Sequence, residues 1–463
     1  MNNPYSHTEP YIAKLKSIEK QIDQNQLKEA ADQLNELGNA SRHDPRLFLL
    51  GSRLAEASRN SEGMLTAARK ARQLAPQWPT ATLHLARVLA SRDESEEATA
   101  MATLAVQQAN AQGTIDTELL TTAASVAQRF HHLPQALEWL RQAEKISPGN
   151  FTIRHRIAVI LTSVGDYAGA IAIYTELLAQ RPDDPTLLGD RLLASLGGNQ
   201  RELAIRDAET LVALEPHNEI CQFYLDVARG QTPETQPSSF ISQLFDGNAV
   251  GFDRHVVVQL QYKLPRDVAN LILLWHPDRK CDVLDLGCGT GLLGACLGPL
   301  EGVLVGVDLS QKMLVLAARH KVYDSFHTVN LLDALKATPE NLYHVITALD
   351  VLVYVGNLAT VVPDAHRILL PGGRLVLSCE TAEEDAADYV LHNSCRYTHR
   401  RNYVQRLLES SGFEAIEIEN RVLRLEAGKP IQGFLVTARK PLQTGAKPAR
   451  RSAKNAKPAP SQS

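Results

Sequence analysis

The stretch VLDLGCGTGLLG, from Val283 to Gly294, decides how the second half of the chain is interpreted. Its glycines at 289, 291 and 294 have the spacing Gly-x-Gly-x-x-Gly, and Asp308 lies 19 residues beyond Gly289. By spacing alone this is the fingerprint of a dinucleotide-binding site, in which a pyrophosphate lies against a helix N-terminus and an acidic residue binds a ribose. The first question is therefore whether the stretch binds NAD or another cofactor.

An aspartate, Asp285, precedes the glycine-rich segment and argues against a dinucleotide. A carboxylate beside the loop would repel a diphosphate, whereas it would favour a cationic ligand. S-Adenosylmethionine (SAM) carries an ammonium and a sulfonium and no phosphate, and Gly287, Gly289 and Gly291 would let the backbone approach its amino-acid part. Asp308 ends the next apolar run and could accept hydrogen bonds from both ribose hydroxyls, which the two cofactors share. The residues therefore favour SAM over NAD.

Around this stretch, short apolar runs alternate with helical patterns, which is typical of a doubly wound parallel sheet. The runs are CDVLDLG (281–287), GVLVGVDL (302–309), HVITALDVLVYV (344–355) and GGRLVLSCE (372–380). Two further strand-like segments, at 412–425 and 430–440, are joined by EAGK (426–429) and predict a closing antiparallel hairpin. Ligands of such sheets bind outside the carboxyl ends of the strands.

The first half of the chain is a repeat. Pro148, Pro182 and Pro216 are 34 residues apart, as are Pro45 and Pro79, and a fixed period of this length indicates stacked units. When Pro148, Pro182 and Pro216 define one slot and the alignment is extended back with one insertion at 111–116, the slot twelve residues earlier is alanine in five units of six. These slots are Ala30, Met64, Ala98, Ala136, Ala170 and Ala204. Further small or apolar residues follow at i+4 and i+7, which predicts helices that pack closely on one face.

This pattern resembles the tetratricopeptide repeat (TPR), with two antiparallel helices per unit, over about six units from 11 to 228. DYAGAIAIYTELLAQRPDDP (166–185) is the clearest copy. The chain departs from the family at a bulky slot of the first helix, where Phe48, Thr82, Leu120, Arg154 and Leu188 replace tryptophan. A passive spacer and a concave groove that binds a peptide or partner protein are both open, and solenoids of this type favour the groove.

The second half, from 240 to 440, resembles a class I SAM-dependent methyltransferase. LDLGCGTG is similar to the first motif of that family, GVDLS to the second, ALDVLVYV to the end of the fourth strand and LLPGGRLVLS to the turn into the fifth. The segments Phe240–Pro265 and Arg396–Val404 resemble flanking signatures of a bacterial group that fuses TPR units to such a domain. The fold expected is thus a helical TPR solenoid followed by a Rossmann-like, seven-stranded α/β domain.

The resemblance also implies cofactor-binding positions. Asp285 and the three glycines would line the methionine part of SAM, Asp308 and Leu309 would meet the ribose, and Asp350 and Val351 would lie beside the sulfur. Those expected near the adenine are Met313, Asn330 and Leu331. Where the family often has an acidic residue for the adenine amino group, this chain has Asn330, whose side-chain oxygen can still accept, and Asp333 follows as the alternative.

Methyl transfer needs alignment of the nucleophile and exclusion of water, and a general base only where the nucleophile is protonated. His399, Tyr397 and Tyr354 are candidate catalytic residues, with Tyr403 as a further wall or base, since they lie in the family-like segment or after the fourth strand. The alternative is that Tyr354 and Tyr403 pack in the core and that His399 lies on the surface. Phe245 is expected in an amphipathic lid over the cofactor or simply in the core.

Composition sets limits on partners and compartment. The chain has 463 residues, 44% hydrophobic and 22% charged, with a net charge of −4, which argues against a nucleic-acid partner. The six cysteines form no Cys-x-x-Cys pair, so no metal site or disulfide framework is predicted, and reduced thiols are expected. The sequence has no signal-peptide pattern and no apolar run of about 18 residues, so no membrane association and a cytoplasmic location are expected.

Four segments are predicted: the solenoid at 11–228, a proline-rich linker at 229–239, the methyltransferase domain at 240–440, and a disordered basic tail at 441–463 that is solvated or attracted to acidic surfaces. Two functions are open. In the first, the chain is an active methyltransferase whose TPR units recruit or orient an acceptor or partner. In the second, it is a non-catalytic binding scaffold. The intact Asp285, glycines and Asp308 favour the enzyme, and the acceptor is left unassigned.

Overall fold

The structure, a computed structural model, describes residues 8–40, 43–248, 252–254, 256–257, 260–392, 394–426 and 429–442. The chain divides into two compact units, 1–182 and 183–463. Nearly all of the predicted basic tail lies outside the described residues. Within them, no helix combines the length and apolar character needed to cross a membrane.

The first unit consists of helices joined in pairs by short turns, which makes the members of each pair antiparallel. The helices are α1 Glu9–Asp23, α2 Leu27–Ala40, α3 Pro45–Ala57, α4 Ser61–Leu74, α5 Pro79–Ser91, α6 Ser95–Gln112, α7 Thr117–Arg129, α8 Leu133–Ile146, α9 Phe151–Ser163 and α10 Tyr167–Gln180. Prolines begin α3 and α5, where the missing N–H has no helical partner to lose. The predicted insertion at 111–116 appears as a longer α6.

Small side chains hold the paired helices together, as the repeat predicts. Ala98, Ala136 and Ala170 are fully buried, and Met64 at the equivalent slot is nearly so. An alanine at the contact between two helices lets their backbones approach closely. A larger side chain at the same position would therefore have no room. The paired helices confirm the predicted helical repeat.

The second unit begins with a helix pair of the same kind and a further helix, α11 Pro185–Gly197, α12 Arg201–Leu214 and α13 Glu219–Ala228. The remaining helices of this unit are α14 Ser238–Asn248, α15 Phe252–Arg254, α16 Leu264–Trp275, α17 Leu292–Leu297, α18 Gln311–Ala317, α19 Leu331–Ala337, α20 Val362–Ile368 and α21 Arg401–Ser410.

The segment predicted as a linker lies along the methyltransferase-like part of this unit. The backbone N–H groups of Gly356 and Asn357 donate to the carbonyl oxygen of Glu234, and that of Gln236 donates to Tyr354. An extended, proline-rich chain forms no internal hydrogen bonds, so its free backbone groups can pair with a neighbouring loop. The second compact unit begins at residue 183, well before the predicted linker at 229–239. The predicted domain boundaries remain predictions.

The strands form the predicted seven-stranded sheet, in the order β3-β2-β1-β4-β5-β9-β8, and a separate two-stranded ribbon, β6-β7. Strands β1 to β5 are parallel, β9 is antiparallel to β5, and β8 pairs with β9 as the expected hairpin. The strands are β1 Val283–Leu286, β2 Leu304–Asp308, β3 Ser325–Thr328, β4 Tyr343–Ala348, β5 Leu369–Glu380, β6 Tyr389–Leu391, β7 Tyr397–His399, β8 Glu414–Glu426 and β9 Lys429–Arg439.

Helices cover both faces of this sheet. Leu284 and Leu286 of β1 belong to one apolar cluster with α19 to α21, and Val283 belongs to a second with α16 and α17. One predicted strand is shorter than expected: the run from 344 to 355 leaves the sheet after Ala348. Asp350 adopts a positive φ of 54°, which ends the extended backbone and places its side chain at the carboxyl edge of the sheet.

The buried alanine slot predicts a large cost for Ala170→Leu. The added atoms have no space in the contact between helices, so the free energy of unfolding should fall by about 1 to 3 kcal/mol. Ala172→Leu is the matched control because Ala172 is exposed on the same helix, and its effect should stay within about 0.5 kcal/mol. Urea unfolding followed by far-ultraviolet circular dichroism compares the two. Equal midpoints would contradict the close packing inferred for this slot.

Candidate cofactor and active site

The carboxyl ends of β1, β2 and β4 meet at the glycine-rich loop after β1. Gly287, Gly289 and Gly291 have φ values of 68°, 55° and 81°, a region that favours glycine. A Cβ atom on Gly287 would lie 2.4 Å from Cγ2 of Val351, whereas one on Gly289 would meet nothing within 4 Å. The loop therefore needs glycine for its conformation, and at Gly289 it borders open space where a ligand can approach the backbone.

Asp308, at the end of β2, is tied to this loop. One carboxylate oxygen accepts a hydrogen bond of 2.9 Å from the N–H of Gly289, and the other accepts one of 2.8 Å from the N–H of Ser310. Burial raises the pKa of Asp308, and these backbone donors oppose that shift. Asp308 is partly exposed and lies next to the loop, and its contact with the ribose hydroxyls stays a prediction. Leu309 follows it and is partly exposed.

Asp285 is almost completely enclosed. Its Oδ2 accepts a hydrogen bond of 2.7 Å from the hydroxyl of Tyr323, and its Oδ1 accepts one of 2.8 Å from the hydroxyl of Thr347. Burial raises the pKa of Asp285 to about 6, although both hydroxyl donors favour the ionised form. Asp285 therefore supplies a negative charge from within the protein beside the loop, and its direct contact with a methionine ammonium stays a prediction.

Helix α14 and the residues after it lie over the carboxyl ends of the strands. Asp246 accepts a hydrogen bond from the hydroxyl of Ser310, and its backbone carbonyl accepts from Lys312 Nζ at 3.1 Å. Further along, Asp253 accepts from the hydroxyl of Thr290 in the glycine loop. These contacts place Asp246 and Asp253 beside the glycine loop and the start of α18, and the lid over the cofactor stays a prediction.

On the expected adenine side, Met313 is fully buried and Leu331 nearly so. Asn330 begins α19 as its N-cap: its Oδ1 accepts from the N–H of Leu332 at 2.8 Å, and its Nδ2 donates to the hydroxyl of Ser238 at 2.8 Å. The oxygen expected to meet the adenine amino group thus already has a backbone partner. Asp333, the alternative, is exposed one turn into the helix.

At the other end of the site, the Asp350 carboxylate lies just beyond β4. Its backbone N–H donates to the hydroxyl of Ser378 at 2.8 Å, which fixes the turn. Its Oδ1 accepts a hydrogen bond of 2.5 Å from Nη1 of Arg424. The side chain retains 24% of its accessible surface, yet burial raises its pKa to about 6. The next residue, Val351, lies against Gly287 of the glycine loop, so Asp350 is close to that loop.

An ionic network surrounds Asp350, with a buried arginine at its centre and partly exposed groups at its edge. Arg424, only 4% exposed, also donates to Glu380 at the end of β5 and, at 3.4 Å, to Glu426. Glu426 in turn accepts from Arg396. The network has three carboxylates and two guanidinium groups, so it carries one net negative charge when all are ionised. Because a buried carboxylate without a partner is costly, Arg424 holds these groups in fixed positions.

Aromatic rings border the same region. The ring of Tyr354 packs edge-on against Phe245 of α14, with 5.6 Å between centroids. Burial raises the pKa of Tyr354 to about 12. Burial also raises the pKa of Tyr262, and the charges of Asp350 and Asp285 add to that shift, so its phenol lies within electrostatic reach of both carboxylates.

His399 and Tyr397 on β7 have structural contacts. The His399 Nε2 lies 2.9 Å from the carbonyl oxygen of Val355 and 3.1 Å from that of Gly356, so Nε2–H donates to the loop after β4. Burial lowers its pKa to about 4, and Nδ1 has no partner among the described residues. Tyr397 donates to the carbonyl of Pro233 at 2.7 Å. The alternative that put His399 on the surface is wrong, because the side chain is fully buried.

Five residues of the site were absent from the sequence interpretation as functional positions: Tyr262, Tyr323, Thr347, Glu380 and Arg424. Tyr262 lies within the family-like segment before α16, so that signature could have included it. The others are brought to the loop by strands and turns distant in sequence. Among the described residues, no group of three or more His, Cys, Asp or Glu side chains could hold a metal ion.

Comparison with known proteins agrees with this geometry. Residues 284–375 match the protein family described as a methyltransferase domain. The ubiquinone biosynthesis O-methyltransferase of Thiobacillus denitrificans is 28% identical over 208 residues, which cover 39% of this chain and 89% of that protein. The enzyme of the same name from Pseudomonas aeruginosa strain LESB58 is 27% identical over 157 residues, 30% of this chain. The chain spans 66% of the length of that relative.

Similar solved structures cover each half of the chain. The TPR protein YrrB has a TM-score of 0.37 and 16% identity, over 41% of this chain and 96% of that one. Magnesium protoporphyrin IX methyltransferase from Synechocystis with bound SAM has a TM-score of 0.33 and 17% identity, over 45% of this chain and 100% of that one.

The sheet order, the glycine loop with its two aspartates and the family match define a SAM-dependent methyltransferase. In the chain, this domain is preceded by the antiparallel helix pairs of the predicted repeat. SAM is accordingly the cofactor, and the dinucleotide interpretation of the glycine spacing is set aside.

Asp308→Ala should weaken SAM binding by about ten- to a hundredfold, because a carboxylate contributes charge-assisted hydrogen bonds and also fixes the N–H of Gly289. Asp282→Ala is a matched control, since Asp282 accepts from the backbone N–H of Val303 at the opposite end of β1. Its affinity should stay within about twofold of the unaltered protein. Calorimetric titration with SAM measures both, and equal losses would mean that Asp308 acts through folding alone.

Proposed function

We propose that the protein transfers the methyl group of SAM to a hydroxyl oxygen of an acceptor bound at the carboxyl ends of β4 and β5, with Asp350 accepting the hydroxyl proton. The observation that carries this proposal is the position of Asp350: a partly accessible carboxylate just beyond β4, one residue before the Val351 side chain that packs on the glycine loop.

The reaction needs little more than alignment and a proton acceptor. The hydroxyl oxygen attacks the methyl carbon, the bond between carbon and sulfur breaks, and the sulfonium becomes the neutral thioether of S-adenosylhomocysteine. The hydroxyl proton passes to Asp350. With a pKa of about 6, this carboxylate is mostly ionised at neutral pH and still close to the pKa that suits a general base there.

Arg424 supports this role by occupying one oxygen of the carboxylate. Its hydrogen bond to Oδ1 leaves Oδ2 as the proton acceptor, and its bond to Glu380 limits rotation of the guanidinium. His399 and Tyr397 are better suited to positioning the loop after β4, because their polar atoms bind backbone carbonyls. Tyr354 remains a wall of the same space.

The relatives supply the choice of a hydroxyl. They carry the name ubiquinone biosynthesis O-methyltransferase, and we take from that name only the class of atom methylated. The TPR units would bind a protein or peptide that is the acceptor or brings it. We further propose a bacterial, cytoplasmic enzyme without a nucleic-acid partner, which fits the net charge of −4 and the bacterial relatives. The boundaries 11–228, 229–239 and 240–440 remain our assignment of these roles to the chain.

Asp350→Asn should lower methyl transfer by about a hundredfold or more, the usual contribution of a general base, while SAM affinity changes far less. Purified protein is incubated with methyl-labelled SAM and a bacterial lysate, and the labelled product is tested for stability to base, since an ether survives and a carboxyl ester does not. Asp364→Asn is the control, because Asp364 pairs with Arg367 on α20, away from the strand ends that form the site.

Retention of transfer by Asp350→Asn would remove Asp350 as the base. Label found on nitrogen, or as a base-labile ester, would contradict the hydroxyl. Binding of SAM without transfer from the unaltered protein to any lysate fraction would favour the non-catalytic scaffold instead.

A further inference from the structure

We propose that Tyr323 is the positioning residue that makes the glycine loop a SAM site: its hydroxyl holds the Asp285 carboxylate, and its ring fills the space that requires glycine at 294. Tyr323 lies before β3 and outside every motif used to assign the cofactor. The inference concerns cofactor binding, so it can be tested without knowledge of the acceptor and apart from the role of Asp350.

The hydroxyl of Tyr323 joins the carboxylate to the helix that follows the loop. It donates to Asp285 Oδ2 at 2.7 Å and accepts from the N–H of Gly294 at 3.3 Å. The N–H of Gly294 is among the first of α17, which lack partners within the helix. Tyr323 therefore satisfies one of these free N–H groups and links it, through its hydroxyl, to the Asp285 carboxylate.

The ring of Tyr323 explains the third glycine of the fingerprint. A Cβ atom on Gly294 would lie 2.3 Å from its Cε2, and one on Gly291 would lie 3.1 Å from the same atom. Phe326 packs against the other part of the ring, with centroids 4.9 Å apart. Because the ring is held from both sides, a larger residue at 294 would have to displace it. The third glycine of the spacing thus follows from a tyrosine, and a pyrophosphate is not needed to account for it.

The charge of Asp285 depends on the groups that face it. Tyr323 and Thr347 donate to it, while Asp308 adds like charge that raises its pKa. Cys288 and Tyr262 are the other titratable groups within electrostatic reach. Removal of the Tyr323 hydroxyl would raise the pKa of Asp285 further above its value of about 6. Since the ionised form favours a cationic ligand, SAM affinity should fall as pH decreases through that pKa, and at a higher pH without the hydroxyl.

The test is calorimetric titration of the full-length protein with SAM between about pH 5.5 and 8, a window that spans the raised pKa. Tyr323→Phe keeps the ring and removes the hydroxyl. It should weaken SAM about tenfold at neutral pH and move the midpoint of the pH dependence upward. Tyr343→Phe is the matched control, a buried tyrosine near the opposite edge of the sheet, and should change neither. Unchanged affinity and midpoint in Tyr323→Phe would overturn the proposal.

Two further variants separate positioning from folding. Thr347→Val removes the other donor to Asp285 and should also move the pH midpoint upward. This variant tests the same hydrogen-bonding role if Tyr323→Phe does not fold. Gly294→Ala should weaken SAM strongly in the unaltered background but add little to Tyr323→Ala, because the ring it would meet is gone. If Thr347→Val left the pH midpoint unchanged, the role of the hydrogen bonds to Asp285 would be refuted. If the effects of Gly294→Ala and Tyr323→Ala on SAM affinity were additive, the role of the Tyr323 ring would be refuted.

Discussion

A carboxylate buried beside a glycine loop is the constraint on which this cofactor site depends. Asp285 is enclosed, and its charge is retained only because Tyr323 and Thr347 donate to its two oxygens. Each donor comes from a different element: Thr347 from β4, which pairs with β1, and Tyr323 from the turn before β3. The parallel register that places these residues together also places Asp308 and Asp350 at the same edge. The chemistry of the site thus follows from how the strands pair.

The sequence predicts features that repeat locally and misses those assembled from distant segments. An alanine that recurs at a fixed position indicates close packing between helices that are neighbours in sequence. The helical pairs could therefore be predicted from the repeat period alone. Arg424 and Tyr323 could not, because their partners lie 74 and 38 residues away and no spacing rule connects them. The run through Asp350 was predicted as one strand because its composition is apolar, whereas a single positive φ ends it. A surface position was predicted as one alternative for His399 because two arginines follow it in the sequence. This alternative is wrong because the His399 side chain is buried.

The raised pKa values of Asp285 and Asp350 mean that ionisation of these two groups costs free energy at neutral pH. A carboxyl group whose pKa is raised by folding, here to about 6 from 3.8, stabilises the folded chain only while it is protonated, and this contribution is lost as pH rises through the folded value. Near pH 7 both groups are therefore largely ionised at a cost. A ligand with a sulfonium and an ammonium offsets that cost, so the surroundings of Asp285 and Asp350 favour a cation before any direct contact is formed.

The same argument explains how the site can favour turnover. The sulfonium charge is lost when the methyl group leaves, so the attraction between the site and the cofactor weakens at the moment that Asp350 takes up a proton. Asp285, held by two hydroxyl donors, keeps its charge and continues to favour the ammonium, whereas Asp350 has one oxygen without a donor from Arg424. In the proposed mechanism, this difference in hydrogen bonding gives two carboxylates of similar pKa different roles: Asp285 would favour the cofactor through its charge, and Asp350 would exchange a proton with the acceptor.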